Sequence, residues 1–344
     1  MKTKLSLLIC VILITTTNYA QKVVALHSST NGVQYFNENA AFQEAYDASV
    51  AGDTIYLPGG THTPPNVFNK KLTIFGAGHH PDATIATFTT KISGNVILGE
   101  NADGFHLEGV HITSELIIGN TNDISINDIT IKRCRWTNLR VPGTQDMSTS
   151  NNNVFVENIF NSVYDCRNLR SSSFFNNIIS NHAYYEIWDL YFVNNVFTHS
   201  DTYGTVTPTF NANNCVFQNN IFLQEGNNVV VGSDNTFENN IFCNTISALG
   251  TDPTEVNSYY MTRSEVLVNQ TGNVFEYTDN YHLQAGAATN LGTDATETGI
   301  YGGVYPWKNY SIPTNPHISS KSISGSSDTN GNIQIDINVH AQTN

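Results

Sequence analysis

Between residues 155 and 242 the chain repeats one phrase: FVENIF at 155–160, FFNNII at 174–179, FVNNVF at 192–197, FQNNIF at 217–222 and FENNIF at 237–242. The anchoring asparagines, Asn158, Asn177, Asn195, Asn220 and Asn240, are 19, 18, 25 and 20 residues apart. A period near 20 marks stacked supersecondary units, each burying its apolar side only against its neighbours. The apolar runs are too short for helices, and their Phe, Val and Ile suit strands. The polar pair between them, usually Asn-Asn, reads as a tight bend, because asparagine tolerates the left-handed conformation that other residues resist. A short strand, a two-residue bend and another short strand in every coil describe an all-β parallel β-helix.

The pattern extends upstream. Leu72–Phe75 makes a strand closed by Gly76-Ala77-Gly78, Phe105–Ile112 is a looser copy bending at Gly109, and Ile124–Trp136 carries the phrase with Cys134 in the asparagine's place. Residues 40–51 predict a helix, with Asn37 or Asn39 as cap, Phe42, Ala45, Tyr46 and Ser49 on one face, and Gly52 as terminator. Beyond Trp307, Ile333, Ile335, Ile337 and Val339 alternate with polar residues after the turn Asp328-Thr329-Asn330-Gly331. This predicts a β-hairpin or cap over 306–344, laid against the last coil.

The first 20 residues read as a secretory signal: basic Lys2 and Lys4, an apolar Leu5–Ile14, and a small-residue exit at Ala20. The apolar run is too short for a comfortable span, so the mature chain is expected to be secreted, extracellular or periplasmic, with no membrane span. The full chain carries 15 basic and 29 acidic residues, net −14; without Lys2 and Lys4 the balance is 13 to 29, net −16. That field excludes general nucleic-acid binding. Cys134, Cys166, Cys215 and Cys243 show no CxxC spacing, and a stack of small buried side chains is the expectation.

The passage AFQEAYDA…AGDTIYLPGGTH (41–62), together with Tyr281–Ala287 and Thr298–Gly303, resembles the opening and close of pectin-lyase-like right-handed parallel β-helix proteins. The resemblance implies a right-handed helix over 21–305 with an N-terminal helical cap and a C-terminal β-strand appendage. It departs at Ala287 and Thr298, where the family carries serine and aspartate. The superfamily hosts lyases, hydrolases and non-catalytic shafts, so the fold alone does not select a reaction. The aspartate segments of its hydrolases are absent in order, Ile131-Lys132-Arg133 being the nearest fragment. Its calcium-dependent lyases combine clustered acidic ligands with a Lys or Arg base. For this chain that implies calcium as the cofactor and Asp128 and Asp165 as ligand candidates.

Five of the six arginines lie between 133 and 170. Guanidinium groups bind carboxylates bidentately, which makes Arg133, Arg135 and Arg167 catalytic candidates and Arg140 and Arg170 substrate-binding candidates for an acidic polysaccharide. The competing reading is salt bridging to Asp128, Glu157 and Asp165 along the outside of the stack. Arg135 is odd under both, since later copies place Ile or Val there. The stretch His182–Tyr191 offers Tyr184, Tyr185, Trp188 and Asp189 for stacking on sugar rings and bonding their hydroxyls, or for packing against neighbouring coils. The Asn column is expected to be structural, and His79-His80 to lie in a solvated loop. Two functions stand side by side. One is a monomeric exported protein that binds and cleaves an acidic polysaccharide or other glycan, as a lyase or glycoside hydrolase. The other is a non-catalytic surface or periplasmic carbohydrate-binding or structural β-helix.

Overall fold

The computed structural model describes residues 23–341 except 38, 182–184, 200–208, 226–228, 244–248 and 290. The chain winds a β-solenoid of about 9 turns. Each coil adds one strand to each of two 12-stranded sheets. In the first sheet Ile131, Phe155, Phe174, Phe192, Phe217 and Phe237 are register partners in successive parallel strands. In the second, Ile159, Ile178, Val196, Ile221 and Ile241 follow one another in the same way. Because every coil meets its neighbours in register, like stacks on like. The rings of Phe155, Phe174, Phe192, Phe217 and Phe237 are fully buried and lie 4.6–5.1 Å apart and nearly coplanar. Each such side chain contributes about 1.5–3 kcal/mol by leaving water, and each stacked pair about 0.5–1.5 kcal/mol more.

The two polar residues of the phrase have separate duties. The first turns the corner: Asn176, Asn194, Asn219 and Asn239 have φ between 51° and 58°, as do Arg133 at 52° and Glu157 at 54°. The second is sealed inside and builds a ladder. Asn177 donates through Nδ2 to Asn195 Oδ1 (3.0 Å) and to Phe155 O (2.9 Å), and Asn195 repeats this toward Asn220 and Phe174. Each backbone N–H also reaches the next amide oxygen at 2.8–2.9 Å, so no donor at the corner is orphaned. Cys134 takes the ladder's first place, its N–H on Asn158 Oδ1 at 2.9 Å. All four described cysteines are buried and free, and burial pushes the thiols of Cys134, Cys215 and Cys243 up to about 12.

The first coil is closed twice over. Helix α1, Ala41–Ala48, lays Phe42, Ala45 and Tyr46 on Phe68. It is shorter than expected: Ala40 precedes it without a side-chain cap, and Ser49 Oγ binds Tyr46 O at 2.7 Å and ends it. The antiparallel pair Val24–Ser28 and Gly32–Phe36 covers the edge of strand Thr54–Tyr56, blocking an open row of backbone groups.

The C-terminal part departs from expectation. His317–Ile323 and Ile335–His340 do form an antiparallel hairpin, but it lies beside the early coils, with Lys321 over the Phe88 ring, and not against the last one. The reason is that residues 291–314 run back down the corner column. Asn239 bonds Leu291 O, Asn219 Oδ1 accepts from Thr293 N, Asn194 bonds Gly299 O, and Asn176 bonds Ile300 O and Gly302 O. Further down, Glu157 accepts from Lys308 N, Arg133 donates to Ile312 O, and Glu108 accepts from Thr314 N. The corner asparagines are therefore both turn formers and rungs for a strap.

Candidate functional site

In each copy of the phrase the two apolar residues after the anchoring asparagine point to opposite sides. Phe160, Ile179, Phe197, Phe222 and Phe242 join the solenoid core, whereas Ile159, Ile178, Val196, Ile221 and Ile241 join a second apolar cluster on the outside of the second sheet. That outer face is roofed by residues 261–307, through Val266, Leu267, Tyr281, Leu283, Ala287 and Ile300. A strand buried on both faces needs apolar residues in succession, which explains the doublet in the repeat.

The outer column changes character in the earlier coils. Register partners of Ile159 going down are Arg135, then His111, then Lys91. Parallel neighbours lie about 4.8 Å apart, so these three basic side chains share one patch. Where the column turns from apolar to basic, the roof lifts into a cleft of about 370 Å³. Ile159 and Ile178 line its floor; Phe275, Tyr277, Tyr301 and Trp307 line its walls, with His79 and Asp279. A shallower recess bordered by Lys308 shares Tyr301, Trp307 and Tyr310 with it and extends the opening.

The electrostatics follow from burial. Tyr277 Oη donates to His79 O at 2.9 Å and lies 3.1 Å from His79 Nδ1. Complete burial, with His111 and Arg135 nearby, pushes the His79 imidazole down to about 3; burial, Arg135 and Lys91 take His111 down to about 4. Both imidazoles are therefore neutral at neutral pH, and the patch's positive charge resides on Arg135 and Lys91. Burial raises Asp279 above the usual carboxylate range, and Tyr281 Oη donates to its Oδ2 at 2.9 Å. Arg135 lies over the rings of Phe275 and Tyr277, at 5.6 and 5.2 Å from their centroids.

The five clustered arginines do not converge. Arg133 is fully buried, with Nε 3.1 Å from Glu157 Oε2 and Nη1 3.6 Å from Glu108 Oε1. As a catalytic expectation it is corrected: a guanidinium sealed between two carboxylates and the strap touches no open site. Arg140 pairs with Glu115 (3.4 Å), Arg167 with Asp165 (3.0 Å), and Arg170 with Asp146 and Asp189. Among the described residues Arg135 alone of the five has no carboxylate within ion-pair distance. Tyr185 is exposed and stacks with Arg167 at 4.7 Å, and Tyr164 meets Tyr185 edge-on. Trp188 is half-buried, Asp189 turns a corner at φ 56°, and Tyr184 lies outside the described residues. Asp128 sits exposed at a corner with φ 59°, whereas Asp165 is buried against Arg167. Among the described residues no three His, Cys, Asp or Glu side chains gather as a metal-binding group.

Sequence reading passed over the cleft walls. His79 and His80, expected in a solvated loop, are 2% and 8% exposed, with His80 edge-on to Tyr277 and Tyr310. The available signal was compositional: seven aromatic residues between 275 and 310, outside the repeat, and a lone arginine in an aliphatic column.

No protein-family model and no curated protein sequence matches this chain. Among solved structures, pectate lyase Pel9A aligns over 75% of this chain and 90% of its own, with 13% identity and a TM-score of 0.45. The assignment as a parallel β-helix stands on the strand pairing described above. No helix among the described residues is long and apolar enough to cross a membrane.

Proposed function

We propose that this protein is an exported binder of an acidic polysaccharide, and that the cleft on the outer face of the second sheet is its site. One observation carries the reading. Among the described residues Arg135 is the one of the five clustered arginines without an acidic partner, and it packs on the wall residues Phe275 and Tyr277 beside Lys91 and His111 of the basic column. Aromatic faces stack on sugar rings, and a guanidinium takes a uronate carboxylate in a bidentate, charge-assisted pair. The chain's excess of negative charge makes such a local cationic patch necessary for an anionic ligand. Cleavage by β-elimination belongs to the same reading: a cation on the carboxylate acidifies the C5–H, a base takes that proton, the electron pair forms the C4–C5 double bond, and the C4–O bond breaks with its oxygen leaving as a protonated sugar hydroxyl. Arg135 is the group in place for the first role. Calcium, and the Arg140–Arg167–Tyr185 surface as a secondary contact, remain parts of the proposal to be tested separately.

The test is a panel of polygalacturonate, alginate and glycosaminoglycans, with and without calcium. It follows retention by affinity electrophoresis and the ultraviolet absorbance of unsaturated uronate ends. Retention of at least one polymer is expected. Loss of a hydrogen bond to a charged group costs about 1.5–3 kcal/mol, so Arg135→Gln should weaken it roughly 10- to 100-fold. Arg167→Ala should have a much smaller effect. Retention with no absorbance gain would select the non-catalytic form. Retention of no polymer, or indifference to Arg135→Gln, would overturn the reading.

A further inference from the structure

One wall of the cleft belongs to the strap. Tyr301, Trp307 and Tyr310 lie on residues 291–314, and the solenoid does not position them by winding. Corner asparagines hold its first part, to Gly302, and a buried ion cluster fixes the rest, from Lys308 to Thr314. Arg133 holds Glu157 through both Nε and Nη2 at 3.1 Å and donates Nη1 to Ile312 O at 2.9 Å. Glu157 Oε2 accepts from Lys308 N at 3.0 Å, directly after Trp307. Glu108 accepts from Thr314 N and Thr314 Oγ1 at 2.7 and 3.0 Å, and Pro313 rides on Gly109.

The local sequence supports a dedicated role. Higher in the stack the corner position is Asn, and in the earliest of these coils it is Gly109. In the two coils behind the cleft wall it is Glu157 and Arg133, at φ 54° and 52°. Long side chains resist that conformation, so asparagine would turn these corners more easily. At these two corners the side chains reach the strap as ions, where elsewhere amides suffice.

We propose that the Glu108–Arg133–Glu157 cluster is the positioning device of the binding cleft, setting the wall carried by Trp307 and Tyr310 without touching ligand. The strap-positioning half stands on the contacts above, and the effect on ligand rests on the glycan reading. A protein whose cleft wall is anchored in this way couples occupancy to strap docking: ligand protects the strap, and a loosened strap weakens ligand.

The test is hydrogen exchange over 305–314 alongside affinity for oligogalacturonate and oligoalginate, using the full chain. In Arg133→Met, exchange across 305–314 should accelerate roughly tenfold or more while the 172–242 coils keep their protection. Affinity should fall by a similar factor, and Arg133→Lys should recover part of both. Gly109→Ala attacks the same docking from outside, since a Cβ there would come within 2.1 Å of Pro313 Cγ. It keeps the test open should Arg133→Met fail to fold. Unchanged exchange at 305–314 in a folded variant overturns the positioning role. A loosened strap with undiminished affinity overturns its link to the cleft. Should the unmodified protein bind neither of these oligosaccharides nor a glycosaminoglycan oligosaccharide, the glycan reading fails, while exchange still decides whether the cluster fixes the strap.

Discussion

The coils spanning 172–242 and those spanning 105–163 are built on the same plan and differ in what they allow to vary. In the first group, corner, ladder and core positions are nearly identical from coil to coil: Asn at the turn, Asn in the ladder, Phe in the stack. In the second group Cys134 opens the ladder, Arg133 and Glu157 turn corners, and Arg135 interrupts an aliphatic column. Uniform coils make a shaft that meets the roof and strap with one repeated set of aliphatic side chains and corner amides. The irregular coils leave unmatched charge and shape that only another segment can complete, and the returning strap and the cleft are found there. Irregularity within a repeat is thus where function is to be sought, because regular packing alone would have favoured the consensus residue.

The largest expected effect breaks the uniform region. Phe192→Ala removes a fully buried ring stacked on Phe174 and Phe217, and should cost about 3–5 kcal/mol. Denaturant unfolding followed by circular dichroism measures it. An effect under half of that would mean the stack is far less tightly packed than its ring spacing indicates. Next comes Asn195→Ala, which strands Asn177 N–H and takes the amide donor from Phe174 O in a dry corner. Each buried polar group left without a partner costs about 1–3 kcal/mol, so a loss near the upper end is expected by the same assay.

Acidification should separate the two regions. His79 is held near 3, below its ordinary value, so its burial favours the fold fully above about pH 6.5, and that contribution is lost progressively as pH falls toward 3. His111, down to about 4, acts in the same direction. Glu108 is held below its ordinary value by its hydrogen bonds and neighbouring cations, so its contribution is present above that ordinary value and lost as pH falls below it and protonation weakens the cluster. Hydrogen exchange between pH 7 and pH 4 should therefore show the cleft loosening before the 172–242 shaft, and simultaneous loosening would contradict this ordering. The smallest effect sharpens the contrast from the other side. Arg135→Gln, which breaks no ion pair but loses its contacts with the Phe275 and Tyr277 rings, should cost about 1–2 kcal/mol of stability while weakening ligand. A large destabilisation would make Arg135 a structural member of the shaft.

Much of the architecture was legible in the chain because solenoid coils are read locally. Phe-x-x-Asn-apolar-apolar encodes strand, corner, ladder and strand within six residues, and its recurrence encodes the stacking. The helix was visible from the spacing of Phe42, Ala45 and Tyr46, though its ends shifted because Ser49 satisfied a carbonyl that a glycine was expected to release. The site was less legible. Clustering of five arginines within 38 residues of sequence did not place them together, since Arg133 turns a corner, Arg135 and Arg140 stand at opposite ends of one strand, and Arg167 and Arg170 follow the end of strand Ile159–Asp165. Arg133, Arg135 and Arg140 accordingly reach a buried ion cluster, the rings of Phe275 and Tyr277, and a half-buried pair with Glu115.

By itself the sequence determined the repeating unit, its two short strands, its asparagine corners and the identity of the stacked core. Those features depend on contacts between equivalent residues one coil apart, which any chain with this period must make. Tertiary structure alone decided where the tail returns, which of the five clustered arginines lacks an acidic partner and which aromatics wall the cleft. His79 meets Tyr277 across 198 residues, Arg133 meets Ile312 across 179, and Glu108 meets Thr314 across 206. No periodicity links such partners; they meet because one face of the corner column offered hydrogen-bonding amides and two buried carboxylates to a passing backbone.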